Sequence, residues 1–151
     1  MLIGGLEKFS LIDYPHGVPS AVVFTIGCNF RCPFCHNAEL VSGKGYSASS
    51  TLSFDDVVSF LEKRKGLLQA VVFSGGEPLL QSDLIDYIRM VKDLGYKVKL
   101  DTNGTMPDRL MSVIDLVDYV AMDIKASPQH YSEACGVNVD LEKIKESVNI
   151  I

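Results

Sequence analysis

The fold is decided by residues 21–37, which read AVVFTIGCNFRCPFCHN. The first part of this stretch, Ala21–Ile26, is almost continuously apolar and rich in valine, as expected of a strand that is covered on both faces of a sheet. Three further short runs share this character: Ala70–Phe73, Lys97–Leu100 and Tyr119–Met122. The sequence therefore predicts four buried strands.

Helical patterns lie between and after these strands. The residues that mark their expected starts are Ser53, Ser82, Pro107, Ser127-Pro128 and Asp140. Strict alternation of strand and helix predicts right-handed crossovers and a parallel sheet, either open or closed into a barrel, in one α/β domain over residues 1–151. Four parallel strands would leave an apolar edge open, so we expect either a fragment or another element that covers it. The segment Val41–Thr51, rich in Ser and Gly, predicts a long surface loop.

The composition of the 151-residue chain excludes several classes of protein. With 47% hydrophobic and 22% charged residues, the chain can build a packed core and is not expected to be disordered. Its net charge of −5 makes it a poor partner for nucleic acid. No apolar run approaches the roughly 20 residues of a membrane-spanning helix, and residues 1–10 lack the apolar centre of a signal peptide. We therefore expect a cytoplasmic protein with reduced thiols.

A polar or glycine-rich segment follows each predicted strand. Three cysteines follow the first strand, and the other three segments are residues 74–78 (SGGEP), 101–104 (DTNG) and 123–125 (DIK). The carboxyl ends of parallel strands meet at one edge of a sheet, which is where ligands bind in α/β folds. The sequence therefore predicts one site that all four segments share.

The cysteine spacing points to a metal cluster. Cys28, Cys32 and Cys35 could hold three irons of a [4Fe–4S] cluster and leave the fourth iron open to another ligand. A zinc site completed by His36 is the alternative, although this spacing without a second Cys/His pair suits zinc poorly. A disulfide is the least expected outcome in a reducing compartment. The distant Cys135 is interpreted as an ordinary thiol.

This motif, with Phe34 before its last cysteine, resembles the signature of the radical S-adenosylmethionine (radical SAM) superfamily. Within it, five segments resemble glycyl-radical-enzyme activases, and most closely the anaerobic ribonucleoside-triphosphate reductase activating proteins. These segments are Leu11–Pro15, Cys35–Asn37, Gly75–Pro78, Asp101–Gly104 and Asp123–Lys125. The resemblance implies a partial parallel (β/α) barrel, truncated here at its C-terminus, and a [4Fe–4S] cluster on the three cysteines.

The resemblance also implies which residues hold the cosubstrate S-adenosylmethionine. They are Phe34 against the adenine, His36, Gly75, Gly76, Glu77 at the methionine ammonium, Asp101, Thr102, Asp123 and Lys125. It further implies a monovalent cation beside the cosubstrate carboxylate, held by Asp101, Thr102, Asp123 and the carbonyl of Ala121. Without the resemblance, Gly75–Pro78 and Asn103-Gly104 would be interpreted as plain turns and Lys125 as a surface lysine.

The reaction that the resemblance implies is reductive cleavage of S-adenosylmethionine, followed by removal of a hydrogen atom from a glycine Cα of a partner glycyl radical enzyme. A flavodoxin- or ferredoxin-type protein would donate the electron, and no side chain need act as a general acid or base. Three alternatives remain open. The chain could be another small radical SAM enzyme, such as a 7-carboxy-7-deazaguanine synthase or a different activase, it could be a zinc-binding module, or it could be an inactive fragment.

Overall fold

A computed structural model describes residues 1–43, 46 and 51–151. The strands of these residues are β1 (Ile3–Ser10), β2 (Ser20–Thr25), β3 (Ala70–Gly75), β4 (Lys97–Thr102) and β5 (Tyr119–Met122). Within the described residues they form one sheet in the order β1-β2-β3-β4-β5, and β2 to β5 run parallel. The α/β fold and the four predicted strands are confirmed.

The first strand, β1, was not predicted. It pairs antiparallel with β2, with Ile3 opposite Thr25 and Ser10 opposite Ser20, and thereby covers the edge of the parallel sheet on that side. Its sequence, IGGLEKFS, lacks a continuous apolar run because one side of this strand stays accessible, so its middle residues are half-buried or exposed. Strand β5 forms the other edge of the sheet.

The helices of the described residues are α1 (Ala38–Ser42), α2 (Phe54–Glu62), α3 (Leu84–Asp93), α4 (Pro107–Met111), α5 (Tyr131–Cys135) and α6 (Leu141–Ile150). Single 3-10 turns cover Pro15–Gly17, Pro78–Leu80, Ile114–Leu116 and Pro128–His130. None of the helices in this part of the chain is long and apolar enough to cross a membrane. The predicted loop Val41–Thr51 lies mostly outside the described residues, and its first two residues belong to α1.

Local sequence explains most of the helix starts. Ser53 caps α2, because its hydroxyl accepts a hydrogen bond from the backbone N–H of Asp56 at 3.1 Å and the Asp56 carboxylate accepts one from the backbone N–H of Ser53. Pro107 is the first residue of α4, and Asp140 caps α6 by accepting from Glu142 N–H at 3.0 Å. The start predicted at Ser82 is wrong by one residue, since Asp83 precedes α3 and contacts the N-terminal amine.

The two faces of the sheet differ in character. One face packs against α2 and α3, and residues such as Val23, Phe73 and Leu100 are completely buried there. On the other face, Val22 and Val72 pack with Tyr14 near the amino ends of the strands. Toward the carboxyl ends the second face becomes polar, and this is where the cavity described below opens.

Candidate functional site

A cavity of about 480 Å³ opens at the carboxyl ends of the parallel strands, within the range of small-molecule sites. It is lined by every predicted site residue except Glu77: Cys28, Cys32, Phe34, Cys35, His36, Gly75, Gly76, Asp101, Thr102, Asp123 and Lys125. Residues separated by almost 100 positions in the sequence therefore meet in one place. Asn103 of the predicted turn also lines the cavity, and so does Lys99, which was not among the residues predicted from the sequence.

The cysteine loop is fastened to the rest of the fold by main-chain groups. The backbone N–H of Arg31 donates to the carbonyl of Cys135 at 2.8 Å, and its guanidinium donates to the carbonyls of Cys28 and Phe30. Phe30 is almost completely buried behind the loop. Burial also raises the pKa of the Cys28 thiol. The loop is thus anchored on one side while its three half-buried thiols line the cavity.

The arrangement of the thiols fits a cluster better than a single zinc ion. Among the described residues, no three Cys, His, Asp or Glu side chains converge closely enough to bind one metal ion. A zinc ion needs its four ligands in one tetrahedron, whereas each cysteine of a [4Fe–4S] cluster binds a different iron. His36 lies at the same cavity but does not complete such a tetrahedron. Three thiols that line one cavity are a donor set that fits a [4Fe–4S] cluster with its fourth iron open.

Cys135 lies beside the cluster loop without lining the cavity. Its side chain is fully buried together with Phe30, Tyr131 and Ile144, beside Cys32. Burial, together with the neighbouring Cys32, raises the pKa of Cys135 to about 11. This is the environment of a neutral, packed thiol, in agreement with the prediction that Cys135 is not a ligand.

Glu77 lies beneath the cavity, with 1% of its surface exposed. Its carboxylate accepts hydrogen bonds from Thr102 Oγ1 at 2.9 Å and from the backbone N–H groups of Leu79 and Asn103 at 3.1 and 2.7 Å. Burial raises its pKa to about 7, and the three hydrogen bonds only partly oppose this effect. In this geometry Glu77 ties the end of β3 to the end of β4, and its contact with the methionine ammonium stays a prediction.

The two glycines before Glu77 are required by close contact between neighbouring chain segments. A Cβ atom on Gly76 would collide with the carbonyl oxygen of Gly27, and one on Gly75 would collide with the backbone of Thr25. Gly75 also has a φ of +109°, which other residues rarely adopt. Both glycines line the cavity, so the turn brings main-chain atoms to its wall.

Two lysine–aspartate pairs line the far side of the cavity. Lys99 Nζ lies 2.7 Å from Asp101 Oδ1, and Lys125 Nζ lies 2.6 Å from Asp123 Oδ2. Asp101 Oδ1 is buried and accepts no hydrogen bond of good geometry. Burial disfavours the charged form of Lys125, but its bond to Asp123 outweighs this, so its pKa is raised. The alternation Lys97-Val98-Lys99-Leu100-Asp101 was the signal that could have placed Lys99 on the same face as Asp101.

Asn103 joins the cysteine loop to the end of β4. Its side-chain amide donates to Asn29 Oδ1 at 2.8 Å, and its carbonyl oxygen accepts from the backbone and hydroxyl of Thr105. The interpretation of Asn103-Gly104 as a turn is correct, and the same residues also hold the two walls of the cavity together. At the opposite wall, the ring of Phe34 is 54% exposed and offers an apolar surface to a flat ligand such as adenine.

Known proteins resemble this chain in sequence. It is 39% identical over 150 residues to a Methanocaldococcus jannaschii protein whose name proposes a glycyl-radical enzyme activating enzyme, covering 97% of this chain and 60% of that protein. It is 34% identical over 128 residues to the pyruvate formate-lyase-activating enzyme of Clostridium pasteurianum (82% and 52% covered). It is 31% identical over 141 residues to the 7-carboxy-7-deazaguanine synthase of Methanopyrus kandleri (82% and 54% covered).

The fold and the family follow from two further comparisons. The crystal structure of QueE from Escherichia coli matches with a TM-score of 0.55 at 21% identity, covering 69% of this chain and 53% of that chain. At this identity the match shows a similar fold and no more. The chain spans 52% to 60% of the length of the relatives named above. The model of the radical SAM superfamily matches residues 22–151. The chain therefore belongs to the radical SAM superfamily, and its cofactors are a [4Fe–4S] cluster and S-adenosylmethionine.

Proposed function

We propose that this chain is the radical SAM domain of an activase that generates a glycyl radical on a partner enzyme. The observation that carries the proposal is the convergence of three cysteine thiols with the polar ends of β3, β4 and β5 in one cavity. Similarity to the activating-enzyme relatives, over 82% to 97% of this chain, supports a glycyl radical enzyme as the partner.

Some residues of the cavity bind the cofactors in this proposal, and others stabilise the walls of the cavity. Cys28, Cys32 and Cys35 bind the cluster, and Phe34 packs against the adenine. When bound, the cluster and S-adenosylmethionine supply the one-electron chemistry that removes a hydrogen atom from a C–H bond. Phe30 and Tyr131, both almost completely buried, exclude water behind the cysteine loop.

The finer assignments rest on the sequence resemblance. We propose anaerobic ribonucleoside-triphosphate reductase as the protein substrate and a flavodoxin- or ferredoxin-type protein as the electron donor. The net charge of −5 supports a protein partner over a nucleic acid. A cytoplasmic location suits three thiols that must stay reduced to bind iron.

A second candidate function is the modification of a small heterocyclic molecule. It is favoured by the 31% identity to a 7-carboxy-7-deazaguanine synthase over 141 residues. A cavity of about 480 Å³ is large enough for a cosubstrate together with part of a small substrate. The two functions share the cluster and the cosubstrate, so only the source of the hydrogen atom separates them.

The experiment that tests the proposal is radical formation on a purified partner. The reconstituted protein, S-adenosylmethionine and a strong reductant are mixed anaerobically with the reductase, and the glycyl radical is measured by electron paramagnetic resonance. We expect a signal with the wild type and with the control Cys135→Ala, and none with Cys32→Ala. A Cys32→Ala variant that still forms the radical, or a wild type that cleaves S-adenosylmethionine but forms no radical on the reductase or on other glycyl radical enzymes, would contradict the activase assignment.

A further inference from the structure

Three of the side chains expected to bind a monovalent cation contact other side chains of the chain, and Asp101 Oδ1 does so only as an ion pair, without a hydrogen bond of good geometry. The sequence resemblance implied Asp101, Thr102, Asp123 and the carbonyl of Ala121. Asp101 Oδ1 lies 2.7 Å from Lys99 Nζ, and Asp123 Oδ2 lies 2.6 Å from Lys125 Nζ. The Thr102 hydroxyl donates to Glu77 Oε1 and accepts from the N–H of Gly104.

The local charge also disfavours a metal cation. The two carboxylates contribute two negative charges to the cavity, and the two ammonium groups that contact them contribute two positive charges. Any cation bound to Asp101 Oδ1 would lie next to the Lys99 ammonium, and like charges at this distance repel each other. The residues present therefore do not fit a free Na⁺ or K⁺ at this position.

Lys99 differs from an ordinary surface lysine. Its side chain is only 12% exposed and lines the cavity, whereas Lys97, two residues earlier on the same face of β4, is exposed. An ammonium group that loses water needs both a counter-charge and hydrogen-bond partners. It has three N–H donors, and within the described part of the chain Asp101 is the carboxylate that it contacts. At least one donor is left for an anion inside the cavity.

We propose that Lys99 takes the place of the monovalent cation: its ammonium, oriented by Asp101, binds the carboxylate of S-adenosylmethionine. The inference rests on the cosubstrate assigned above and is independent of the partner enzyme. It makes Lys99 a cosubstrate-binding residue and Asp101 its positioning residue. Binding of S-adenosylmethionine by this chain then requires neither Na⁺ nor K⁺.

The test measures the affinity of the anaerobically reconstituted protein for S-adenosylmethionine by equilibrium dialysis, without reductant, so that no turnover occurs. Dissociation constants are compared in KCl, NaCl and tetramethylammonium chloride at equal ionic strength. For the wild type we expect dissociation constants that agree within about twofold in the three salts. Loss of one whole interaction, about 1.4 kcal/mol, would instead raise the dissociation constant about tenfold. A tenfold loss in tetramethylammonium chloride would overturn the proposal, and this comparison needs no variant.

Variants sharpen the test. Lys99→Met is expected to bind about tenfold more weakly in tetramethylammonium chloride and to regain affinity in KCl, because the freed Asp101 carboxylate can then hold K⁺. Lys99→Arg keeps the charge and should remain insensitive to the salt, and the control Lys97→Met should match the wild type. Iron content and circular dichroism confirm that each variant is folded.

The outcomes separate this inference from the proposed function. If Lys99→Met binds S-adenosylmethionine as the wild type does in all three salts, Lys99 has no part in cosubstrate binding. If the wild type binds no S-adenosylmethionine at all, the cosubstrate assignment fails and the inference fails with it. Tight, salt-independent binding without a glycyl radical on any partner would support Lys99 and overturn only the activase assignment.

Discussion

Two polar clusters lie at the carboxyl end of the parallel sheet and differ in burial and in the partners of their side chains. Glu77, Thr102 and Asn103 are buried, and their hydrogen bonds to one another join β3 to β4. Lys99, Asp101, Asp123 and Lys125 line the cavity as two ion pairs. Residues of similar chemistry thus serve as scaffold in one cluster and as ligand-facing groups in the other. The first should control stability and the second should control cosubstrate affinity.

We expect the largest effect from the cysteine loop, because its thiols bind the iron–sulfur cluster. Replacement of Cys28, Cys32 or Cys35 by Ala removes an iron ligand, so the iron content after anaerobic reconstitution should fall from about four per chain to almost none. Cys135→Ala should keep the iron, since its thiol is buried outside the cavity. Iron and sulfide analysis with absorption spectra gives the measurement, and a colourless wild type with one zinc would contradict the cluster.

Loss of Glu77 from the buried polar cluster should strongly lower the stability of the protein. Glu77→Ala leaves three donors without an acceptor, each at a cost of about 1–3 kcal/mol, so the free energy of unfolding should fall by about 3 kcal/mol or more. Urea unfolding of the cluster-free chain measures this. The matched control Glu146→Ala, on the exposed face of α6, should change stability by less than about 0.5 kcal/mol. Equal stability of the two variants would contradict the prediction that Glu77 stabilises the fold.

The pH dependence of stability tests the same carboxyl group. Its pKa is raised to about 7 in the folded chain, whereas the unfolded chain loses this proton near pH 4.3. Between these values the unfolded state binds fewer protons, so the contribution of Glu77 to stability falls as pH rises, by about 4 kcal/mol in total, and is constant well above pH 7. Subtracting the stability of Glu77→Gln at each pH isolates this term, and a flat difference would contradict the raised pKa.

The smallest effect is expected from Lys125 in the cavity-facing cluster. Its partner Asp123 is 69% exposed, and exposed ion pairs contribute about 0.2–1 kcal/mol. Lys125→Met should therefore weaken S-adenosylmethionine binding by less than about fivefold, which is less than the effect of Lys99→Met. Equilibrium dialysis of the two variants side by side shows which one binds S-adenosylmethionine more weakly. A larger loss of affinity in Lys125→Met would indicate that Lys125, and not Lys99, binds the carboxylate.

The sequence predicted the parallel strands because valine-rich runs are typical of strands buried on both faces. It predicted the shared cavity because the strand ends of a parallel sheet meet at one edge. It did not predict β1, whose Gly4, Gly5, Glu7 and Lys8 interrupt any apolar pattern. It did not predict the burial of Glu77, since a glutamate after a strand has the same sequence pattern whether its carboxylate is exposed in the cavity or buried beneath it. That difference depends on contacts with Thr102 and Asn103, about 25 residues away in the chain.

A deuterium label shows whether the hydrogen atom comes from a glycine of the partner enzyme. The partner enzyme is prepared with deuterated glycine and mixed with the reconstituted protein, S-adenosylmethionine and reductant, and the 5′-deoxyadenosine produced is analysed by mass spectrometry. Our account predicts one deuterium in 5′-deoxyadenosine, transferred from the glycine Cα of the partner. Unlabelled 5′-deoxyadenosine here, together with deuterium transfer from a labelled pterin-like or purine-like molecule, would contradict it.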